Sequence, residues 1–376
     1  MTTRSAQTTI GDHLLTRCLA FRLETEESIA LRLRLLSDAA SWERLFEAAL
    51  ERRLMPALAA RLLERKLVPP APSRAVGDQL APATVIEAHL LRHGEIRAAQ
   101  TTGLVRLVRT LNAEGIEPIL VKGARSLWLH VDHWRTMRDF DLLVPCDDAR
   151  RANAVLRAEG YAPLPDAVER PNRHHFELLF RADLPGWVEV HRRAGNRYAE
   201  PFLPSQMIAA GSVLHERDGA RARVPDAAHH IWHGVVHHHF GHSGFARGLI
   251  DLKGLYEFAA AFSTATPETL DAVLALAARD GAGLATMDLW LAAASDLFAM
   301  PSPPGFSVPA DARKVWAAMR ERSFGATPST KYPGYGELLR LGASSARAAR
   351  LRPRPVLGNV GAALGTAMRL APKLPF

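Results

Sequence analysis

The chain has 376 residues, 48% of them hydrophobic and 23% charged, with a formal net charge of +8. This composition excludes a disordered or fibrous protein and is ample for a sizeable core divided into two or three domains. The basic excess is local: no acid follows Glu337, yet Arg340, Arg347, Arg350, Arg352, Arg354, Arg369 and Lys373 do, and removing these seven from +8 leaves about +1 for the remainder. Residues 341–376 therefore read as a basic tail, solvated or in contact with an anionic partner.

The polar stretch 1–10 argues against a secretory leader. The longest apolar segment, 284–300, is broken by Asp288 and Asp296, so no transmembrane helix is expected. Two cysteines, Cys18 and Cys146, make no disulfide framework. A reducing, cytoplasmic location fits these features.

In chain order, residues 1–100 form an N-terminal helical region. Leu14-Leu15, Leu31, Leu33, Leu35-Leu36, Leu45-Phe46, Leu50, Leu54 and Leu58 recur at three- and four-residue intervals. Ser41, ahead of Glu43 and Leu45-Phe46, reads as a helix start. After the break at Pro69-Pro70-Ala71-Pro72, a long helix is predicted from about Pro82 to Asn112, stopped by Ala113-Glu114-Gly115. The region serves packing or caps a substrate.

Residues 101–205 form the α/β core. The apolar run Ile119-Leu120-Val121 ends in Lys122-Gly123 and a helix start. A second apolar run holds Asp139 and Asp141, and a helix to about Glu159 follows, closed by Gly160. Residues 174–181 and 187–192 read as strands joined by the breaker-rich turn 182–186. Residues 206–340 form a C-terminal helical domain, with helices over 227–240, 248–262, 267–280, 283–300 and 310–322. The fold class is α+β: a small mixed sheet with helices on one side, flanked by helical regions.

The chemistry concentrates on the acidic strand. Side chains alternate along a strand, so Asp139 and Asp141 share one face while Phe140, Leu142 and Val144 take the other. On the later strand, Trp187, Glu189 and His191 share a face, with Val188 and Val190 behind. Two adjacent carboxylates raise each other's pKa unless a cation neutralises them, and a hard cation with oxygen ligands is the usual partner. Lys122-Gly123, between strand and helix, suits phosphate, to which lysine adds a point charge. Arg135 and Arg138 flank the acidic strand, ready to bind phosphate or to neutralise the carboxylates.

Lys122-Gly123, Arg135, Asp139-Phe-Asp141-Leu-Leu-Val144 and Val188-Glu-Val-His191 resemble the bacterial uncharacterised nucleotidyltransferase family of the DNA polymerase β-like superfamily. The resemblance is good over roughly residues 100–195. In this family a Lys-Gly turn replaces the superfamily's Gly-Ser. The resemblance implies a nucleotidyltransferase in which Asp139, Asp141 and Glu189 are catalytic and bind Mg²⁺, with Mn²⁺ as the alternative occupant. It implies nucleotide binding by Lys122, Gly123, Arg135 and Arg138, with NTP, expected to be ATP, as donor. The acceptor is a small molecule, peptide or protein, in a bacterial biosynthetic or peptide-modification setting. Two rival readings are a phosphotransferase using the same metal site and a non-catalytic nucleotide- or peptide-binding scaffold.

The run from His229 to His242 places His229, His233 and His237 on one helical face. They read as a zinc site, as packing and surface histidines, or, following the resemblance, as a cleft wall made by His233, His237 and Asp251.

Overall fold

The computed structural model describes residues 2–68, 81–164, 174–242, 244, 248–302 and 306–324. The basic tail 341–376 lies outside the described residues, as does the irregular stretch expected at 323–336 apart from Ser323 and Phe324, which end the last helix instead. The chain separates into two compact units, Met1–Asp226 and Ala227–Phe376.

The first unit opens with four helices, α1 (Thr2–Leu19), α2 (Thr25–Ser37), α3 (Ala39–Glu51) and α4 (Met55–Glu64). Of their periodic leucines, Leu14, Leu15, Leu31, Leu35, Leu45, Leu54 and Leu58 are buried, whereas Leu33, Leu36 and Leu50 are exposed. The start of α3 is not Ser41. Asp38 caps it, accepting from Ala40 N at 3.0 Å and from the Ser41 hydroxyl. An ionised carboxylate suits both the free backbone amides and the helix dipole better than a hydroxyl three residues inside. Helix α5 (Pro82–Ala113) runs 32 residues and stops before Gly115, which has a left-handed φ of 72°.

The sheet follows. Its strands are β1 (Ile119–Leu120), β2 (Asp139–Leu143), β3 (Ala162–Pro163), β4 (Leu179–Phe180), β5 (Trp187–His191), β6 (Ser212–Arg217) and β7 (Ala220–Pro225), in the order β3-β4-β5-β2-β1-β7-β6. The sheet is mixed: β2 runs antiparallel to β1 and parallel to β5. Helices α6 (Lys122–Trp128), α7 (Cys146–Ala158) and α8 (Ser205–Ala210) lie between strands in the chain. Phe140, Leu142, Val188 and Val190 join Leu104, Val108 and Leu111 of α5 and Ala149, Ala152 and Leu156 of α7 in one apolar core. Burying one face of β2 and β5 this way leaves their other face to the charged residues. The β6–β7 hairpin turns on Asp218-Gly219, both at positive φ (49° and 71°). That conformation suits a two-residue turn of the type that matches strand twist.

The second unit is helical: α9 (Ala227–Val236), a π-helical turn (His237–Gly241), α10 (Leu252–Ser263), α11 (Pro267–Ala277), α12 (Gly281–Phe298) and α13 (Ala310–Phe324). The helix expected over 227–240 thus changes to wider turns at His237, and the one expected from 248 begins at Leu252. Asp251, Thr266 and Asp280 cap α10, α11 and α12 through their side chains. Helix α12 buries Met287, Leu289, Trp290, Ala293 and Ala294, so it is apolar nearly all round, as an enclosed helix must be. Among the described residues, no helix is long and apolar enough to cross a membrane.

Candidate active site

Parallel pairing of β2 with β5 sets Asp139 opposite Trp187, Asp141 opposite Glu189 and Leu143 opposite His191. Asp141 and Glu189 are therefore direct cross-strand neighbours on the face away from the core. Asp141 is 2% exposed and His191 1%, whereas Asp139 and Glu189 are half-buried. The site is deepest at His191 and Asp141.

Two donors converge on one oxygen. Lys122 Nζ lies 2.7 Å from Asp141 Oδ1, and His191 Nε2 lies 2.8 Å from the same atom. His191 Nε2 is also 3.1 Å from Glu189 Oε2. Burial alone would raise the Asp141 pKa, but Lys122 and His191 hold it well below the usual carboxylate range. Glu189 follows the same logic: burial raises it, and the His191 hydrogen bond brings it below its ordinary value. Reciprocally, burial lowers Lys122 and His191, and the carboxylates carry both above their ordinary values.

Asp139 is left with the unmet repulsion. Burial, then the charges of Asp141 and Glu189, push its carboxyl up to about 6. Three carboxylates against one ammonium and one imidazole leave an acidic surplus, which is the electrostatic condition for a cation. The donors fit one as well: Asp141, Glu189 and His191 each offer a ligand atom, all within 4.8 Å of one another. They stand on paired strands, which hold such groups more precisely than loops do.

The other residues marked by the sequence fall in two places. Lys122 opens α6 in a left-handed conformation, φ 51°, with its ammonium turned to Asp141. Helix α6 is only seven residues long. A Cβ on Gly123 would sit 2.8 Å from Arg135 Nη1 and 3.0 Å from Met137 Cβ, so glycine lets the Arg135 guanidinium lie against the turn. Arg97 Nη1 donates to the carbonyls of Asp132 and Arg135, anchoring that loop to α5. Arg138 is exposed, and its carbonyl accepts from Trp187 N at 2.9 Å at the start of the strand pair.

His233, His237 and Asp251 belong to the second unit. The rings of His233 and His237 lie 6.2 Å apart, and His237 sits 4.3 Å from the ring of His242. Asp251 Oδ2 accepts from Gly254 N at 2.8 Å as the cap of α10 and lies 3.6 Å from His238 Nδ1.

Sequence reasoning assigned His191 no role. Its place on the Glu189 face was visible, but its bond to Asp141 depends on the register between two strands about fifty residues apart. His174 and His175 escaped for the same reason. Their rings lie 5.3 and 5.4 Å from His191, and burial with the neighbouring His191 pushes His174 down to about 2, leaving it neutral.

Carboxylates paired across two parallel strands of a mixed sheet, with a lysine and a histidine bonded to them, form a group that could hold a metal ion. The sequence model of the family described as "Uncharacterised nucleotidyltransferase" matches residues 38–295, well over half of the chain, and the protein belongs to that family. No curated protein gives a significant match.

Proposed function

We propose that the protein transfers a nucleoside monophosphate from an NTP, with ATP as the expected donor, to a hydroxyl-bearing acceptor, using a divalent cation held by Asp139, Asp141 and Glu189. The observation that carries this reading is the in-register pairing of Asp141 with Glu189 beside an Asp139 pushed up to about 6. When bound, the cation supplies charge neutralisation on the phosphates. Lys122, now bonded to Asp141, and Arg135 beside the Gly123 turn would take the triphosphate. Glu189, held ionised by the His191 hydrogen bond, would receive the acceptor's proton. The acceptor oxygen forms a bond to the α-phosphorus, the bond from that phosphorus to the bridging oxygen breaks, and pyrophosphate leaves. A cytoplasmic location and a bacterial biosynthetic or peptide-modification role accord with this activity.

The test is label transfer. With cell extract as the source of acceptor, the wild-type chain should move label from α-labelled but not γ-labelled ATP into product, and Asp141→Asn should abolish it. Transfer of the γ label would make the protein a phosphotransferase. A folded wild type that moves neither label, in cells where Asp139→Asn and Asp141→Asn leave its role intact, would make it a scaffold.

A further inference from the structure

We infer that His191 is itself a ligand of the cation, through Nε2, and that this nitrogen makes the site select Mn²⁺ over Mg²⁺. The inference rests on the reading of the site as a metal centre and deepens it. Nε2 lies 2.8 Å from Asp141 Oδ1 and 3.1 Å from Glu189 Oε2, so a hydrogen on Nε2 stands between the two carboxylates, where a cation would stand. The two oxygens and the nitrogen form, among the described residues, the one group of His, Cys, Asp or Glu side chains with convergent ligand atoms.

The other ring nitrogen leaves the exchange open. His191 Nδ1 is buried with no hydrogen-bond partner among the described residues. Asp141 and Glu189 hold the hydrogen on Nε2 until a cation takes its place, and Nδ1 then carries the proton while Nε2 offers its lone pair to the metal. A strictly carboxylate site suits Mg²⁺, which demands near-ideal octahedral oxygen geometry and dehydrates reluctantly. Imidazole nitrogen favours first-row transition ions, and a set of one nitrogen and two carboxylates matches Mn²⁺, which accepts both donor types.

Glutamine at position 191 separates ligation from simple bracing. Its amide can still donate to Asp141 and Glu189, but it offers no imidazole nitrogen. The experiment uses the full chain with Mn²⁺ as probe, read by pulsed electron paramagnetic resonance for coupling to ¹⁴N, with Mg²⁺ as competitor. The wild type should show a coordinated imidazole nitrogen. His191→Gln should lose that signal and weaken Mn²⁺ binding about tenfold or more, since loss of even an outer partner of a metal ligand costs about 10–100-fold. Mg²⁺ affinity should change less, so the preference ratio falls.

Bound Mn²⁺ without nitrogen coupling in the wild type overturns the inference whether or not the variant folds, and leaves the proposed function standing. Retention of the full Mn²⁺ preference by a folded His191→Gln does the same. If neither cation binds the wild type, the inference and the reading of the site as a metal centre fall together.

Discussion

His191 in the first unit and His239 in the second are buried and His238 is half-buried, and their pKa values shift in opposite directions. Burial lowers each of them. For His191, hydrogen bonds to Asp141 and Glu189 outweigh burial and carry the pKa above its ordinary value. For His238, burial wins over Asp251 and Glu257 and pushes it down to about 4. His239, for which burial is the one cause, falls to about 3. The separation explains the difference. Asp251 stands 3.6 Å from His238 and spends an oxygen on the helix cap, whereas both carboxylate contacts of His191 are within hydrogen-bonding distance. A run of histidines draws the eye in a sequence, but carboxylates at contact distance are what make a histidine chemically active.

The contrast is broken most severely by removing the acid that creates it. Asp141→Asn should reduce transfer by about 10³-fold or more, equivalent to roughly 4 kcal/mol of lost transition-state stabilisation. NMR titration should show the His191 pKa falling toward the behaviour of His238. Unchanged activity in the folded variant would sink the site assignment.

Next in size is Lys122→Met. It leaves Asp141, buried and ionised, with His191 but without the ammonium that stood 2.7 Å away. Breaking a buried pair from one side costs about 3–5 kcal/mol. Urea unfolding should show a loss of that order in the transition assigned to the sheet. A Lys122→Arg variant, with a wider and stiffer head group, should recover only part of it.

A smaller effect sharpens the comparison through pH. Asp139, raised in the folded protein from 3.8 to about 6, stabilises the fold below its unfolded value, and that contribution is lost as pH rises from about 4 to 6. Asp139→Asn should remove this fall in stability, and a saturating divalent cation should flatten it in the wild type. The second unit has the reverse slope. His238, lowered from 6.5 to about 4, favours folding above its unfolded pKa, and that stability is lost as pH falls from 6.5 towards 4. His238→Gln should reduce the acid sensitivity of the second unit, as read by thermal unfolding followed at tryptophan. Two slopes of the same sign would contradict the contrast between the units.

Smallest, and confined to the turn, is Gly123→Ala. The added methyl would meet Arg135 Nη1 at 2.8 Å and Met137 Cβ at 3.0 Å. Moving the guanidinium should weaken nucleotide binding several-fold while changing stability by about 1 kcal/mol. Equal losses in metal-only and nucleotide binding would place the effect elsewhere.

Much of this was legible in the residues. The alternation of Asp139, Phe140, Asp141 and Leu142 was enough to assign faces, because a strand repeats every two residues whatever surrounds it. Helix α5 was readable from Pro82 to its glycine stop because long periodic segments carry redundant signals. The start of α3 was misplaced because Ser41 and Asp38 are both good caps, and only the chain's path decides which one meets the amides. The β6–β7 hairpin received no strands, although Asp218-Gly219 carries a strong turn signal. Its alternating residues, Ala220, Ala222 and Val224, are mostly alanines, and the adjacent Val213 and Leu214 are exposed, so the pattern does not stand out beside helices. The bonds of His191 and Lys122 to Asp141 were hidden for a different reason. They arise from strand register and from a left-handed backbone at Lys122, neither of which is a property of local sequence.

The most direct test of the central claim is calorimetric titration of ATP, GTP, CTP and UTP into the wild type and Asp141→Asn, with and without divalent cation. The account expects at least one nucleotide to bind the wild type in the presence of the cation, and that binding to disappear when either the cation or Asp141 is removed. Nucleotide binding that is indifferent to both, or a folded wild type that binds none of the four, would contradict it.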